Sequence, residues 1–341
     1  MMDLLDRKAS LHANSFCHLE RASDTSFGCR ISLSSANTHL LLSLLNVSPQ
    51  FISSLLGEPD YWAPGDFATH DEYGSIQRLG EFESCPSFAS LTNTSVSEYF
   101  CQHPRWDIHR KDVPCSIYMS YDASAGLTTY LVVCSKDNHH IDVVKERLED
   151  ALVYGSSSDA GDPFLLHSLV THQIFLEAKT VITSLRYKLY DELDRVDVYS
   201  QKPATERDKS ELEDLTIALH VCSQETDSLT ASADMVNMIV LRLLGAHQRY
   251  SENCSKPDMH NAITKTRDGL QYLLTSIESQ KRWLLSYKTR KDIAMNLVLP
   301  LLYSARNVWL LTACRYTILS HSRTRLLAPR LHAKPEPMEH R

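Results

Sequence analysis

The chain reads as an α+β protein. An N-terminal mixed α/β domain with a small sheet is followed by long coiled-coil-like helices, the last of them long enough that it must pack as a hairpin or bundle or project as a stalk helix. Three observations predict this. Strand-like segments are confined to the first 135 residues. A composition break, Gly155–Pro163 (GSSSDAGDP), marks a boundary. Beyond it, apolar residues recur at helical steps for more than a hundred residues.

The expected organisation is a loose leader over 1–24, the mixed domain over 25–155, a helix bundle and stalk over 162–298, and a divergent basic tail over 299–341. Phe27–Leu33 alternates as a short strand. Two short helices follow. Ser34, Ser35 or Asn37 is placed to cap the first, and Ser48 before Pro49 suits the start of the second. Residues 63–95 lack periodicity, with short strands expected near Ser75–Phe82. Ser116–Tyr121 and Leu127–Cys134 flank a turn containing Gly126, the signature of a hairpin. The second arm is almost wholly apolar and suits a central strand. Ile141–Tyr154 is an amphipathic helix, and Asp162 before Pro163 begins the next.

The clearest register lies in 204–250. Leu215, Leu219, Cys222, Thr226, Leu229, Ala233, Val236, Val240, Leu243 and His247 are spaced alternately by four and three residues. That is a heptad seam. The stretch His260–Val298 carries a second stripe: Ile263, Leu270, Leu273, Leu274, Ile277, Leu284, Leu285, Tyr287, Ala294, Met295 and Val298. At ~1.5 Å per residue it would be about 60 Å long. Leu215, Leu219, Leu229, Val236, Val240, Leu243, Leu270, Ile277 and Leu284 are the expected helix-interface residues. Near the end of that stretch Lys281, Arg282, Lys288, Arg290 and Lys291 form a basic collar. A solvated helix face accounts for it, as does positive charge beside anionic lipid.

Composition limits the function classes. The 341 residues are 43% hydrophobic and 23% charged, with a net charge of −7. No run is basic enough for a nucleic-acid surface. Nine scattered cysteines without a CxxC pair point to reduced thiols inside the cell and not to a secreted disulfide framework. The first residues lack a secretory apolar core, so no signal peptide is expected. The best spanning candidate, Ile293–Leu319, contains Pro300, Arg306 and Arg315. A spanning helix needs about 20 largely uncharged residues.

Chemistry-bearing motifs are sparse. No GxGxxG, P-loop, HExxH or GxSxG occurs. His139–His140 reads as polar loop. Cys101, His103 and His109, near Asp107 and Asp112, lack the paired spacing of a structural zinc site. A Cys–His nucleophilic pair remains open, since such partners meet in space and not in sequence. His172, His220 and His247 read as interface or surface residues. No catalytic, cofactor-binding or metal-ligating residue is assigned, and no enzyme activity is expected.

EYFCQHPRWDIHRKDVPCSIYMSYDASAGLTTYLVV (98–133), followed by the amphipathic helix, long coiled helices and RWLLSYKTRKDIAMNLV (282–298), resembles fungal CorA-like proteins. The resemblance covers about residues 27–298. It implies a cytosolic α/β domain, a long stalk helix leading into two transmembrane helices, five-fold assembly, and a Gly-Met-Asn motif at the pore mouth. Magnesium or another divalent cation is the implied substrate. Ala294-Met295-Asn296 only superficially matches that motif, because charged residues, not a span, precede it. After Val298 the likeness ceases. Residues 301–341 carry seven Lys/Arg against Glu336 and Glu339. A truncation, altered splice or frame change would give such a tail.

The expectation is therefore a CorA-like, transport-related module without its own complete pore. It would be intracellular, assemble with itself or a family paralogue through its long helices, and touch a membrane near 281–320. A soluble helical scaffold without a transport role is the alternative.

Overall fold

A computed structural model describes residues 14–23, 29–31, 33–45, 47–56, 64–70, 76–77, 96–106, 115–122, 126–134, 139–154, 161–203, 205–254 and 257–326. The fold is α+β. Seven strands form one sheet: β1 (Asn14–Ser23), β2 (Cys29–Ile31), β3 (Gly65–His70), β4 (Ile76–Gln77), β5 (Val96–Gln102), β6 (Ser116–Asp122) and β7 (Leu127–Cys134). Their order is β2-β1-β7-β6-β5-β3-β4. Among the described strands, only the β1–β7 pairing is parallel. Among the described residues, six α-helices accompany them: α1 (Ser35–Leu44), α2 (Pro49–Leu56), α3 (His139–Tyr154), α4 (Leu165–Gln201), α5 (Lys209–Asn253) and α6 (His260–Leu326).

Local chemistry explains most boundaries. Ser34 caps α1, its Oγ accepting from Asn37 N at 3.3 Å. Gly126 takes φ 65° in the β6–β7 turn, a region costly for residues with a Cβ. Asp162 begins α4 by accepting from Phe164 N at 2.8 Å. The loose leader is corrected over residues 14–23. They form β1, laid parallel to β7 from Asn14 opposite Thr128 to Glu20 opposite Cys134. The already apolar β7 thereby becomes a central strand with both edges paired.

The chain divides into two compact units. One comprises Met1–Tyr187 with Gln224–Lys288, the other Lys188–Ser223 with Thr289–Arg341. The expected boundary at 155–163 therefore does not separate compact bodies. The reason lies in the first unit, where helices cover the sheet directly. Tyr99 Oη donates to Ile239 O at 3.3 Å, Ser232 Oγ to Arg105 O at 2.9 Å, and Tyr130 Oη to Pro163 O at 2.6 Å. Arg249 of α5 pairs with Asp66 of β3.

Strand alternation gives this sheet two buried faces. Leu19, Phe100, Tyr118, Leu131 and Val133 pack with Phe51 and Leu55 of α2. Tyr99, Cys101, His103, Ile117, Met119, Tyr130 and Val132 have the opposite parity and are also buried.

All ten residues of the α5 seam, from Leu215 to His247, are buried. On α6, Ile263, Leu270, Leu273, Ile277, Leu284, Tyr287, Ala294 and Val298 are buried as well. Leu274 and Met295 are half-buried, and Leu285 is 64% exposed. At 3.6 residues per turn it lies about 100° around the helix from Leu284 and leaves the stripe.

Candidate functional site

The most concentrated polar chemistry lies on the sheet face that α4 and α5 cover, in the first unit. Cys101 stands near the end of β5, His103 just beyond it, and His167 one turn into α4. Cys101 Sγ is 3.7 Å from His103 Nε2 and 3.7 Å from His167 Nδ1. The Tyr99 ring meets the His167 ring edge to face at 4.9 Å. All four side chains are buried.

Burial sets the protonation of this cluster. It pushes the Cys101 thiol far up and the His103 imidazole down to about 4. His167 falls to about 3, through burial first and the nearby His103 second. At neutral pH the cluster is a thiol between two neutral imidazoles. A nucleophilic cysteine works as a thiolate, commonly stabilised by a cationic neighbour. Neither charged form is favoured here. His103 Nδ1 and His167 Nε2 have no hydrogen-bond partner among the described residues.

A second buried polar group lies at the α4 start. Asp162 Oδ2 is 2.8 Å from His247 Nε2, both side chains fully inaccessible. Phe164 lies edge to face with Tyr99 at 6.0 Å and with His247 at 5.5 Å, so aromatic packing joins the two groups. Tyr250 and Tyr121 continue the packing at 5.4 Å.

Four of the five collar residues have defined partners. In the first unit Lys281 Nζ lies 2.6 Å from Asp234 Oδ1, and Lys288 Nζ 2.9 Å from Asp227 Oδ1. Seven residues up α6 match seven residues down α5, the spacing of antiparallel heptad flanks. In the second unit Arg290 donates to Tyr190 Oη at 2.8 Å and lies over its ring, while Lys291 donates to Ser223 Oγ at 3.0 Å. Arg282 is exposed. Most of the collar's charge is thus committed to neighbouring helices.

Of the sequence candidates, the fold brings Cys101 and His103 together and adds His167 from α4. His109, Asp107 and Asp112 lie outside the described residues. His139 and His140 open α3 instead of forming a loop, since the helix begins at His139. Among the described residues, no group of three or more His, Cys, Asp or Glu is arranged to hold a metal ion. Sequence reading missed His167 and the Asp162–His247 pair. The available signal was periodicity: His167 lies three residues from both Phe164 and Val170, on their buried side. An open cleft at the α5–α6 turn, lined by Ser251, Cys254, His260, Thr264 and Arg267, is a lesser candidate.

Among the described residues, α5 over Lys209–Glu252 is long and apolar enough to cross a membrane, and 44% of its apolar window is buried inside the protein. The core helix of a soluble protein passes the same test.

No protein-family model matches the chain, and no curated protein matches it. Among solved structures, the full-length CmaX protein aligns with 74% of this chain and 68% of its own at 14% identity, with a TM-score of 0.31. A likeness at that score supports no conclusion about fold or function.

Proposed function

We propose that this chain is a CorA-like protein related to divalent-cation transport, with magnesium as the ion concerned. Its sheet and helices would serve as a cytosolic regulatory module, and its last helix would enter a membrane without completing a pore. The supporting observation is the continuity of α6, which runs from His260 to Leu326 through Pro300. An internal proline removes a backbone hydrogen bond and usually kinks or ends a helix in water. Spanning helices tolerate it better. The 27 residues Ile293–Leu319 would extend about 40 Å, against a hydrocarbon core of about 30 Å. On this reading Arg306 and Arg315 must face protein, because a central arginine costs ~2.5–3.5 kcal/mol on insertion scales. That requirement favours a partner with spans of its own, such as a complete paralogue.

Alkaline carbonate extraction of cells expressing the full chain tests the reading. Retention in the membrane pellet is the expected result, and complete recovery in the soluble fraction overturns it. Magnesium flux into vesicles holding this chain alone would overturn the incomplete pore.

The alternative is a soluble helical scaffold. The α5 seam is buried within the chain. A scaffold would have to use outward residues such as Val198 and Ile217, which are 59% and 62% exposed.

A further inference from the structure

We propose that Cys115 and Cys134 form a redox modification site, a cross-strand dithiol that a low-molecular-weight disulfide oxidises to an intrachain disulfide. The ladder between β6 and β7 carries the argument. Ile117 lies opposite Val132, and Ser116 opposite Val133. One further step sets Cys115 opposite Cys134, the last residue of β7. That step continues the ladder one residue past its last pair, and Cys115 keeps strand geometry on its β5 side. His103 N donates to Cys115 O at 2.8 Å, extending the β5–β6 ladder one residue beyond Gln102–Ser116.

Directly opposed residues of antiparallel strands have Cα atoms about 4.5–5.5 Å apart and side chains on the same face. A disulfide needs roughly 4.4–6.8 Å between Cα atoms. The bond therefore forms with little backbone movement. Both cysteines are in the thiol form and buried.

Cys101, Cys222 and Cys254 give an internal contrast. Cys101 is opposite Ile117, which places it diagonally from Cys115. Diagonal neighbours stand about 7–8 Å apart, beyond ordinary disulfide reach. Cys222 is on α5, and Cys254 directly follows it.

The chemistry balances as thiol–disulfide exchange. The Cys115 thiolate attacks one sulfur of the oxidised disulfide, forming a mixed disulfide and releasing one small thiolate, which takes up a proton. The Cys134 thiolate then attacks the Cys115 sulfur and expels the second small thiol. The protein loses two hydrogens, and the small disulfide becomes two thiols. Cys115 acts first because it is 5% exposed, whereas Cys134 is 0% exposed. Burial makes the exchange slow and dependent on local opening of the strand ends. The product closes a loop of about 20 residues and stabilises the fold by constraining the unfolded chain.

The test uses the full chain treated with oxidised glutathione at pH 8, alkylated without reduction, digested and mapped by mass spectrometry. The expected product is a Cys115–Cys134 linked peptide, two hydrogens lighter and reversed by dithiothreitol. Oxidation should raise the thermal midpoint of the parent chain and of C101S, and leave C115S unchanged. The proposal is overturned if both thiols stay fully alkylatable after denaturation of the treated protein, or if Cys115 pairs with Cys101. Mapping on the unsubstituted chain decides the matter even where a variant fails to fold.

Discussion

Asp162 and His247 form a fully buried pair, with Oδ2 and Nε2 2.8 Å apart, although 85 residues separate them in sequence. Asp162 is also the cap that starts α4, through Oδ1 and Phe164 N. One carboxylate thus fixes where α4 begins and holds the last residue of the α5 seam.

Removing that carboxylate should be costly. Asp162→Ala loses the cap and leaves His247 buried without its partner, a loss of about 3 kcal/mol or more. Asp162→Asn keeps a cap acceptor and should cost less. Urea unfolding of both variants measures the difference, and equal losses would contradict the double role.

Acid should destabilise the first unit through His103 and His167. Both imidazoles titrate lower in the fold than the usual 6.5, at about 4 and about 3. Below pH 6.5 the unfolded chain takes up protons that the folded chain refuses. Stability therefore falls as pH drops from about 6.5 toward 3, His103 contributing down to about 4 and His167 down to about 3. His103 alone accounts for roughly 3 kcal/mol by pH 4, at 1.36 kcal/mol per pKa unit. His103→Gln should flatten the pH dependence of the thermal midpoint over that window. An unchanged slope would place the titration elsewhere.

Two leucines two residues apart on α5 should behave differently. Leu243 is fully buried and Leu241 is 50% exposed. Leu243→Ala should cost about 2–5 kcal/mol, the range for large core truncations. Leu241→Ala should stay within about 0.5 kcal/mol. Chemical denaturation of the pair checks the register of the seam directly.

The collar's ion pairs should add little. Lys281 and Asp234 are both substantially exposed, so a double-mutant cycle with alanine should return about 0.2–1 kcal/mol, diminishing with added salt. A coupling several times larger would mean that the pair is desolvated.

Much of the candidate cluster was present in the sequence without being assembled there. Cys101 and His103 are near neighbours in the chain, but His167 lies 66 residues from Cys101. Asp162 reads as a helix start and His247 as the end of a seam, each from local rules. That they meet depends on how α4 and α5 pack over the sheet. The same holds for Cys115 and Cys134, whose opposition follows from hairpin register.

The sequence by itself determined the α+β class, the β6–β7 hairpin, the helix start at Asp162 and the apolar α5 seam, and it narrowed the α1 cap to Ser34, Ser35 or Asn37. These follow from near-neighbour chemistry: side-chain periods, caps and turn residues. The tertiary structure alone decided that residues 14–23 join the sheet as β1, since that parallel partner lies more than a hundred residues away. It also committed most of the basic collar to α4 and α5, because charge on one helix reveals nothing of its neighbours. Leu285 was left in water by the same packing, which seats Leu284 and turns the next residue outward.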